Sequence, residues 1–250
     1  MTALPRSFLR RPITHRALHG PAGAENSIGA IQAAIAAGLG IEIDVQPSED
    51  GVAMVFHDYD LARLTGHTGP IVARTAAELG AISLSAGGGT IPTLRHVLDL
   101  VDGKVPLLIE IKDQDGLMGP NVGPLEQAVG ACLSDYTGDV AVMSFNPHSV
   151  QAFGAAVPNV PRGLVTSAYS TDDWPELTSD IRNRLAEIPD FGTVGASFIS
   201  HEVEALDMPP VHALKSQGVP ILCWTVRSAT QEAEARKIAD QITFEGYSPA

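Results

Sequence analysis

Only two cysteines, Cys132 and Cys223, occur in 250 residues, with no CxxC pair, so neither a disulfide framework nor a thiolate zinc site is available. That sparseness predicts a reducing, cytoplasmic location. Basic charge is scarce too. Sixteen Lys plus Arg face 29 Asp plus Glu, a net of −13, which argues against a nucleic-acid partner because no cationic excess is left to displace counterions. A few cations or a metal can still reverse that field locally, so a small phosphate ligand stays admissible. No apolar run approaches the roughly 18–20 residues of a membrane span, and Met1 to Arg11 lacks the apolar stretch of a secretory leader, so no stable membrane insertion is expected. GxGxxG, GxxxxGK(S/T) and GxSxG are absent, which removes the usual nucleotide cradles and the serine-hydrolase elbow. None of these features encodes an oligomeric state.

What the chain does have is a 44% hydrophobic composition, enough for a large core, and the length of one (β/α)8 barrel, typically about 250 residues. Short β-branched runs alternate with Ala/Leu-rich stretches throughout, the pattern of βα units and a parallel sheet covered by helices. Eight strands are predicted: Ile13–His15, Gly40–Val45, Leu107–Lys112, Val140–Phe145, Gly163–Thr166, Gly195–Ile199, Ile221–Val226 and Ile242–Glu245. Helices have recognisable starts, with Asn26-Ser27 before the Ala/Ile run to Ala37, Thr93 before Leu94–Val101, and Asn146-Pro147 before His148–Ala156. A short strand over Ala53–Phe56 follows the Asp50-Gly51 turn, and Asp58 to Pro92, rich in Gly and Thr, reads as a long excursion over one mouth of the barrel. The fold class predicted is therefore α/β, a single (β/α)8 TIM barrel over 1–250 with a loop excursion after the second strand.

Chemistry in such a barrel collects at the carboxyl ends of the strands. Glu42 and Asp44 are two apart in Ile41-Glu42-Ile43-Asp44-Val45, so strand alternation puts both carboxylates on one face, and Glu110 and Lys112 repeat the arrangement on what should be the adjacent strand. Three bare carboxylates in one apolar barrel end would repel one another and resist desolvation. A divalent cation removes the conflict, and an all-oxygen set suits Mg2+ or Ca2+, with Mn2+ also acceptable. The alternative is a set of structural salt bridges to Arg16 and Lys112. Of eight histidines, His15 and His57 fall at apolar strand ends beside this cluster, where an imidazole is suited to proton transfer; the others read as structural or surface groups.

The ordered series His15-Arg16, Glu25-Asn26-Ser27, Gly40 to Gln46, Asp50-Gly51, His57-Asp58, Leu61 to Gly66, Ile91 to Leu94, Glu110 to Lys112, Ser144-Phe145, Trp224 to Val226 and Phe244 to Gly246 resembles the signature of the glycerophosphodiester phosphodiesterase family. The resemblance implies a TIM barrel that hydrolyses a small-molecule glycerophosphodiester to glycerol 3-phosphate and an alcohol. By the same carry-over His15 and His57 are the general acid and base, Glu42, Asp44 and Glu110 hold one divalent metal ion, Arg16 and Lys112 contact phosphate, and Phe145 and Trp224 line the substrate pocket. One departure stands out: the family usually continues His-Arg with Gly, and this chain has Ala17. Alanine is harmless there at negative φ, whereas a positive φ would strain the site loop.

Two rival readings follow from the same residues. Lys112 at a strand end could serve as a Schiff-base nucleophile of a lyase or aldolase, although Glu110 beside it favours the protonated amine. Alternatively the barrel has lost catalysis and only binds a ligand, for which Ala17 is the single hint.

Overall fold

The structure, a computed structural model, describes residues 2–250. Its strands are β1 (Ile13–Thr14), β2 (Gly40–Pro47), β3 (Ala53–Val55), β4 (Leu107–Ile111), β5 (Val140–Ser144), β6 (Arg162–Thr166), β7 (Phe198–Glu202), β8 (Ile221–Val226) and β9 (Gln241–Phe244). All pair in parallel except β3, which hangs antiparallel on β2, and the β1–β9 and β1–β2 pairings close the other eight into a barrel. The (β/α)8 expectation is met.

Helices form where the local signals place them. The helix α1 (Ile28–Ala37) starts at Ser27, whose Oγ accepts from the Ala30 amide, and stops at Gly38 in the left-handed region. Later helices used below are α2 (Ala62–Thr65), α3 (Ala76–Gly80) and α4 (Leu94–Val101). In α4, Thr93 caps the first turn by accepting from the His96 amide. Its buried residues Leu94, Val97, Leu98 and Val101 recur at helical spacing, so one stripe faces β-sheet core. Burying each such side chain is worth about 1.5–3 kcal/mol, several times the helix-propensity differences along the segment, so packing rather than propensity holds α4.

Inside the barrel, strand alternation separates two zones. Leu108, Ala141, Phe198 and Leu222, near the strands' amino ends, form an apolar interior with Phe8 of the amino-terminal 3-10 turn Arg6–Leu9 and with Leu4 just before it. Sequence reading gave that segment no structural role. At the other end the inward positions become polar and carry the site described below. No helix among the described residues is long and apolar enough to cross a membrane.

The excursion after β3 is more than a loop. It folds into α2, a 3-10 turn and α3, and Phe56, Leu61, Ile71, Leu79 and Ile91 give it a small core of its own. Gly88 ties it to the barrel. Its φ of +89° and its approach to Ser27, whose Oγ would lie 2.4 Å from any added Cβ, leave no room for a side chain.

The largest misplacement concerns β7, expected over Gly195–Ile199 and found three residues later. Gly195 sits at φ +66°, in a turn, and the strand itself carries Ser200, His201 and Glu202, which hide it from a hydrophobic pattern. His201 is the buried outward member. Its Nδ1 lies 2.7 Å from Thr166 Oγ1 and its Nε2 3.0 Å from the Ala205 carbonyl, a pair of partners that satisfies a neutral ring. Burial lowers its pKa from 6.5 to about 4. The unfolded chain therefore takes up a proton that the folded chain refuses, so this contribution to stability is whole above pH 6.5 and is lost as pH falls toward 4. Over that window it amounts to about 3 kcal/mol. Urea titrations of wild-type protein and His201→Gln between pH 7 and 4 should show the stability gap between them closing as pH falls; a gap independent of pH would refute this.

Candidate active site

The polar end of the barrel brings together all nine residues that the sequence singles out. Glu42, Asp44 and Glu110 are buried, and each offers an oxygen within 4.8 Å of the others. The register explains this, because Asp44 is paired directly with Glu110 across β2 and β4. Two cations answer three carboxylates. Lys112 Nζ lies 2.7 Å from Glu110 Oε1 and 3.6 Å from Asp44 Oδ1, and Arg16 Nε lies 3.7 Å from Asp44 Oδ2. Asn26 clasps Asp44 from the other side, donating to Oδ2 at 2.9 Å and accepting from its amide at 3.2 Å. Burial raises the Asp44 pKa, but His57, Lys112 and Arg16 outweigh it and hold the carboxyl well below the ordinary range.

Glu42 is the unmatched member. Its oxygen accepts only the Arg16 amide, at 2.7 Å, and burial, then Asp44 and Glu110, push its pKa well above the ordinary value. With all three ionised, the cluster would carry one more buried negative charge than its side-chain cations neutralise, and the raised pKa of Glu42 reflects that imbalance. A small hard cation fits that deficit and that oxygen set. Lys112 is also buried, which works against its charge, yet Glu110 and Asp44 prevail and hold it as an ammonium. Schiff-base chemistry needs the neutral amine, so the geometry opposes the lyase alternative.

Each histidine is wired through Nδ1 to a carboxylate that an arginine also grips. His15 Nδ1 lies 2.7 Å from Glu245 Oε2, and Arg227 Nε donates to Glu245 Oε1 at 2.7 Å. His57 Nδ1 lies 2.7 Å from Asp58 Oδ1, and Arg63 reaches Asp58 at 2.6 and 2.8 Å while also gripping Glu25. The hydrogen bond from His15, with His19 Nε2 at 3.4 Å, holds Glu245 well below the ordinary carboxylate range. With Nδ1 donating to an ionised oxygen, Nε2 of each ring is the nitrogen left without that bond. Burial lowers the His15 pKa despite Glu245. Glu25, His57 and Asp58 also lie close enough to hold an ion, but Arg63 already occupies both acids.

Two connected hollows share this floor. The inner one, about 60 Å³, is lined by His15, Arg16, the three carboxylates and Lys112. The outer one, about 680 Å³, is walled by Phe145, Trp174, Trp224 and Met118, with Asp58 and Asp60 from the excursion. Phe145 and Trp224 meet edge to face at 5.5 Å, and Trp174 tilts against Phe145 at 4.9 Å. His57 lines both hollows, whereas His15 lines only the inner one.

Sequence reasoning gave no place in the site to Glu25, Asn26, Asp58, Arg63 or Glu245, although all five lie inside the motifs that carry the family resemblance. Trp174, Arg227 and His19 had no such marker. Ala17 resolves the question raised by its departure from glycine: it stands at φ +65°, after Arg16 at φ +52°. Left-handed alanine costs roughly 1–2 kcal/mol and its buried methyl group recovers about 0.8 kcal/mol of that, so the turn carries the strain expected of a positive φ, though a small one. The amides of Arg16 and Ala17 still reach Glu42, at 2.7 and 2.9 Å. The hint of a degraded site therefore loses its force.

Known proteins place this architecture. The model of the glycerophosphoryl diester phosphodiesterase family matches residues 15–243. A Bacillus subtilis protein, YhdW, whose name carries that activity as a provisional assignment, is 29% identical over 233 residues, covering 89% of this chain and 88% of its own. A glycerophosphodiester phosphodiesterase of Caldanaerobacter subterraneus subsp. tengcongensis is 30% identical over 162 residues, 60% of this chain and 64% of the relative. Among solved structures, an Oleispira antarctica phosphodiesterase in complex with the product sn-glycerol-3-phosphate superposes with a TM-score of 0.77 at 25% identity, covering 96% of this chain and 94% of the other. Fold, motif order and match together identify the chain as a member of the glycerophosphoryl diester phosphodiesterase family and as a glycerophosphodiester phosphodiesterase.

Proposed function

We propose that this enzyme releases sn-glycerol 3-phosphate from glycerophosphodiesters by metal-assisted acid–base catalysis, with residues 1–250 acting as one barrel domain. The observation that carries the reading is the buried carboxyl of Glu42, without a side-chain cation, on one hollow with two histidines, each with Nδ1 tied to a carboxylate. Glu42, Asp44 and Glu110 would hold one divalent cation, Mg2+ or Ca2+ by donor chemistry, with Mn2+ also tolerated. When bound, the cation supplies positive charge to the phosphoryl oxygens and orients the ester. Arg16 and Lys112 neutralise the remaining phosphate charge.

Proton transfer divides between the histidines by position. His15, buried beside the inner hollow and kept in its neutral form by its lowered pKa, takes the proton of the glycerol hydroxyl next to the phosphate; that attack expels the alcohol and gives a cyclic phosphate, which water then opens to glycerol 3-phosphate. His57 faces the outer hollow as well, and protonates the departing alcohol there. The aromatic wall with Asp60 nearby suits a leaving group that is both cationic and apolar, so choline should depart from a better-bound ester than ethanolamine. Two unpaired thiols, Cys132 and Cys223, fit a cytoplasmic setting.

Incubation with glycerophosphocholine, glycerophosphoethanolamine or a lysophospholipid, each with Mg2+, Mn2+ or Ca2+, tests the assignment. The expected result is glycerol 3-phosphate release with a higher kcat/KM for the choline ester than the ethanolamine ester. No release from any ester with any of the metals would overturn it.

A further inference from the structure

Two hydroxyls inside the barrel have no part in the chemistry above. Ser200 on β7 and Thr243 on β9 are buried at 0% and 1% exposure, and both line the inner hollow but not the outer one. Ser200 shares the inward side of its strand with Phe198, and Thr243 shares that of Glu245, the partner of His15. Neither side-chain oxygen has a hydrogen-bond partner among the described residues, and Arg16 Nε, on the same hollow and 3.7 Å from Asp44, makes no hydrogen bond either. Three of the six buried polar atoms left without a partner thus converge on about 60 Å³ of space. Buried hydroxyls are ordinarily paired, so this concentration marks a place where a polar ligand group completes them.

The chemistry of the hollow narrows what that group is. Phosphate charge is answered by Arg16 and Lys112, whereas Ser200 and Thr243 are neutral and stand beside Met143 and Val165. A hydroxyl can donate to one of them and accept from the other. The space admits a few water-sized groups, at roughly 10–15 Å³ each, which suits the end of a polyol and not a quaternary ammonium. The Trp224 indole donates to the Ser200 carbonyl at 3.0 Å, fixing this part of β7 beside the aromatic wall.

We propose that Ser200 and Thr243 form a hydroxyl floor that receives the terminal hydroxyl of the substrate's glycerol unit and sets the preference for glycerol over alcohols that lack it. The proposal rests on the reading of the site as a glycerophosphodiester hydrolase. A buried polar pair built for a substrate hydroxyl discriminates against the analogue without it, because the pair is then left unsatisfied.

The test compares a glycerophosphodiester with its 1-deoxy analogue, a propane-1,2-diol phosphodiester that keeps the neighbouring hydroxyl and the same leaving alcohol. Wild-type enzyme should favour the glycerol ester in kcat/KM by roughly ten- to hundred-fold. In Ser200→Ala/Thr243→Val that ratio should collapse toward one, and titration calorimetry should show the same loss of discrimination between sn-glycerol 3-phosphate and propane-1,2-diol phosphate. Thr243→Ser, which keeps a hydroxyl, should retain most of the ratio and guards against a folding defect in the double variant. An unchanged ratio in a folded double variant would mean that the hydroxyls hold only ordered water, and overturns the proposal alone. Wild-type enzyme inactive on both esters would overturn the hydrolase reading and the floor with it.

Discussion

Replacing His15 or His57 with alanine is expected to lower kcat on a glycerophosphodiester by roughly 10²–10⁴-fold, the usual contribution of a general acid or base, with much smaller effects on binding. The double replacement should lose less than the product of the single losses, because both rings act on one transition state. The two single variants should then part company on a p-nitrophenyl ester. Its leaving group needs no proton, so His57→Ala should recover much of its rate while His15→Ala stays impaired. Recovery in the opposite variant would exchange the roles. The pH profile of kcat/KM should be bell-shaped. Its rising limb reports a base that must be neutral to work, and burial lowers His15, so that limb should lie below the ordinary imidazole value of 6.5. Near-normal kcat in both single variants would make the histidines structural and the mechanism wrong.

Removal of divalent cations is expected to abolish turnover, and Mg2+, Mn2+ or Ca2+ should restore it. Full activity in excess chelator, after verified metal removal, would sink the metal reading. Stability offers an independent measure. Glu42 is the carboxylate of the three without a side-chain cation, so Glu42→Gln should raise the Tm of chelated protein by replacing a buried carboxyl whose ionisation nothing offsets. The same change should erase most of the Tm gain that the ion gives wild-type protein, roughly 5–10 °C at a hundred times Kd. Asp44→Asn should weaken ion binding more than it weakens folding, since shape is kept and one ligand charge is lost. If Glu42→Gln instead lowered the Tm of chelated protein, the carboxylates would be serving a salt-bridge network with Arg16 and Lys112 as the sequence alone also allowed.

Periodicity and caps were enough for most of the barrel. Ile41-Glu42-Ile43-Asp44-Val45 could only be a strand with two acids on one face, and Thr93 before Leu94, Val97, Leu98 and Val101 could only open a helix with one buried stripe. Both signals are local, arising within a few residues of chain, and the structure reproduces them. The strand β7 escaped because its inward Ser200 and outward His201 are polar and are accommodated by partners or space that lie far away in sequence.

The chain by itself determined which residue types stand at the strand ends, hence the acidic cluster, the two histidines and the two cations. What only tertiary structure decided was their charge balance and their wiring. Barrel closure brings Glu245, just past the last strand, to His15 near the start, 230 residues apart, and the excursion bends Arg63 back onto Asp58 and Glu25. It is likewise the fold that leaves Glu42 without a cation and sets Ser200 and Thr243, from strands on either side of β8, on one hollow. Such relations depend on distance and on exclusion of water. Neither quantity exists along an unfolded chain, where the same groups are solvated and far apart.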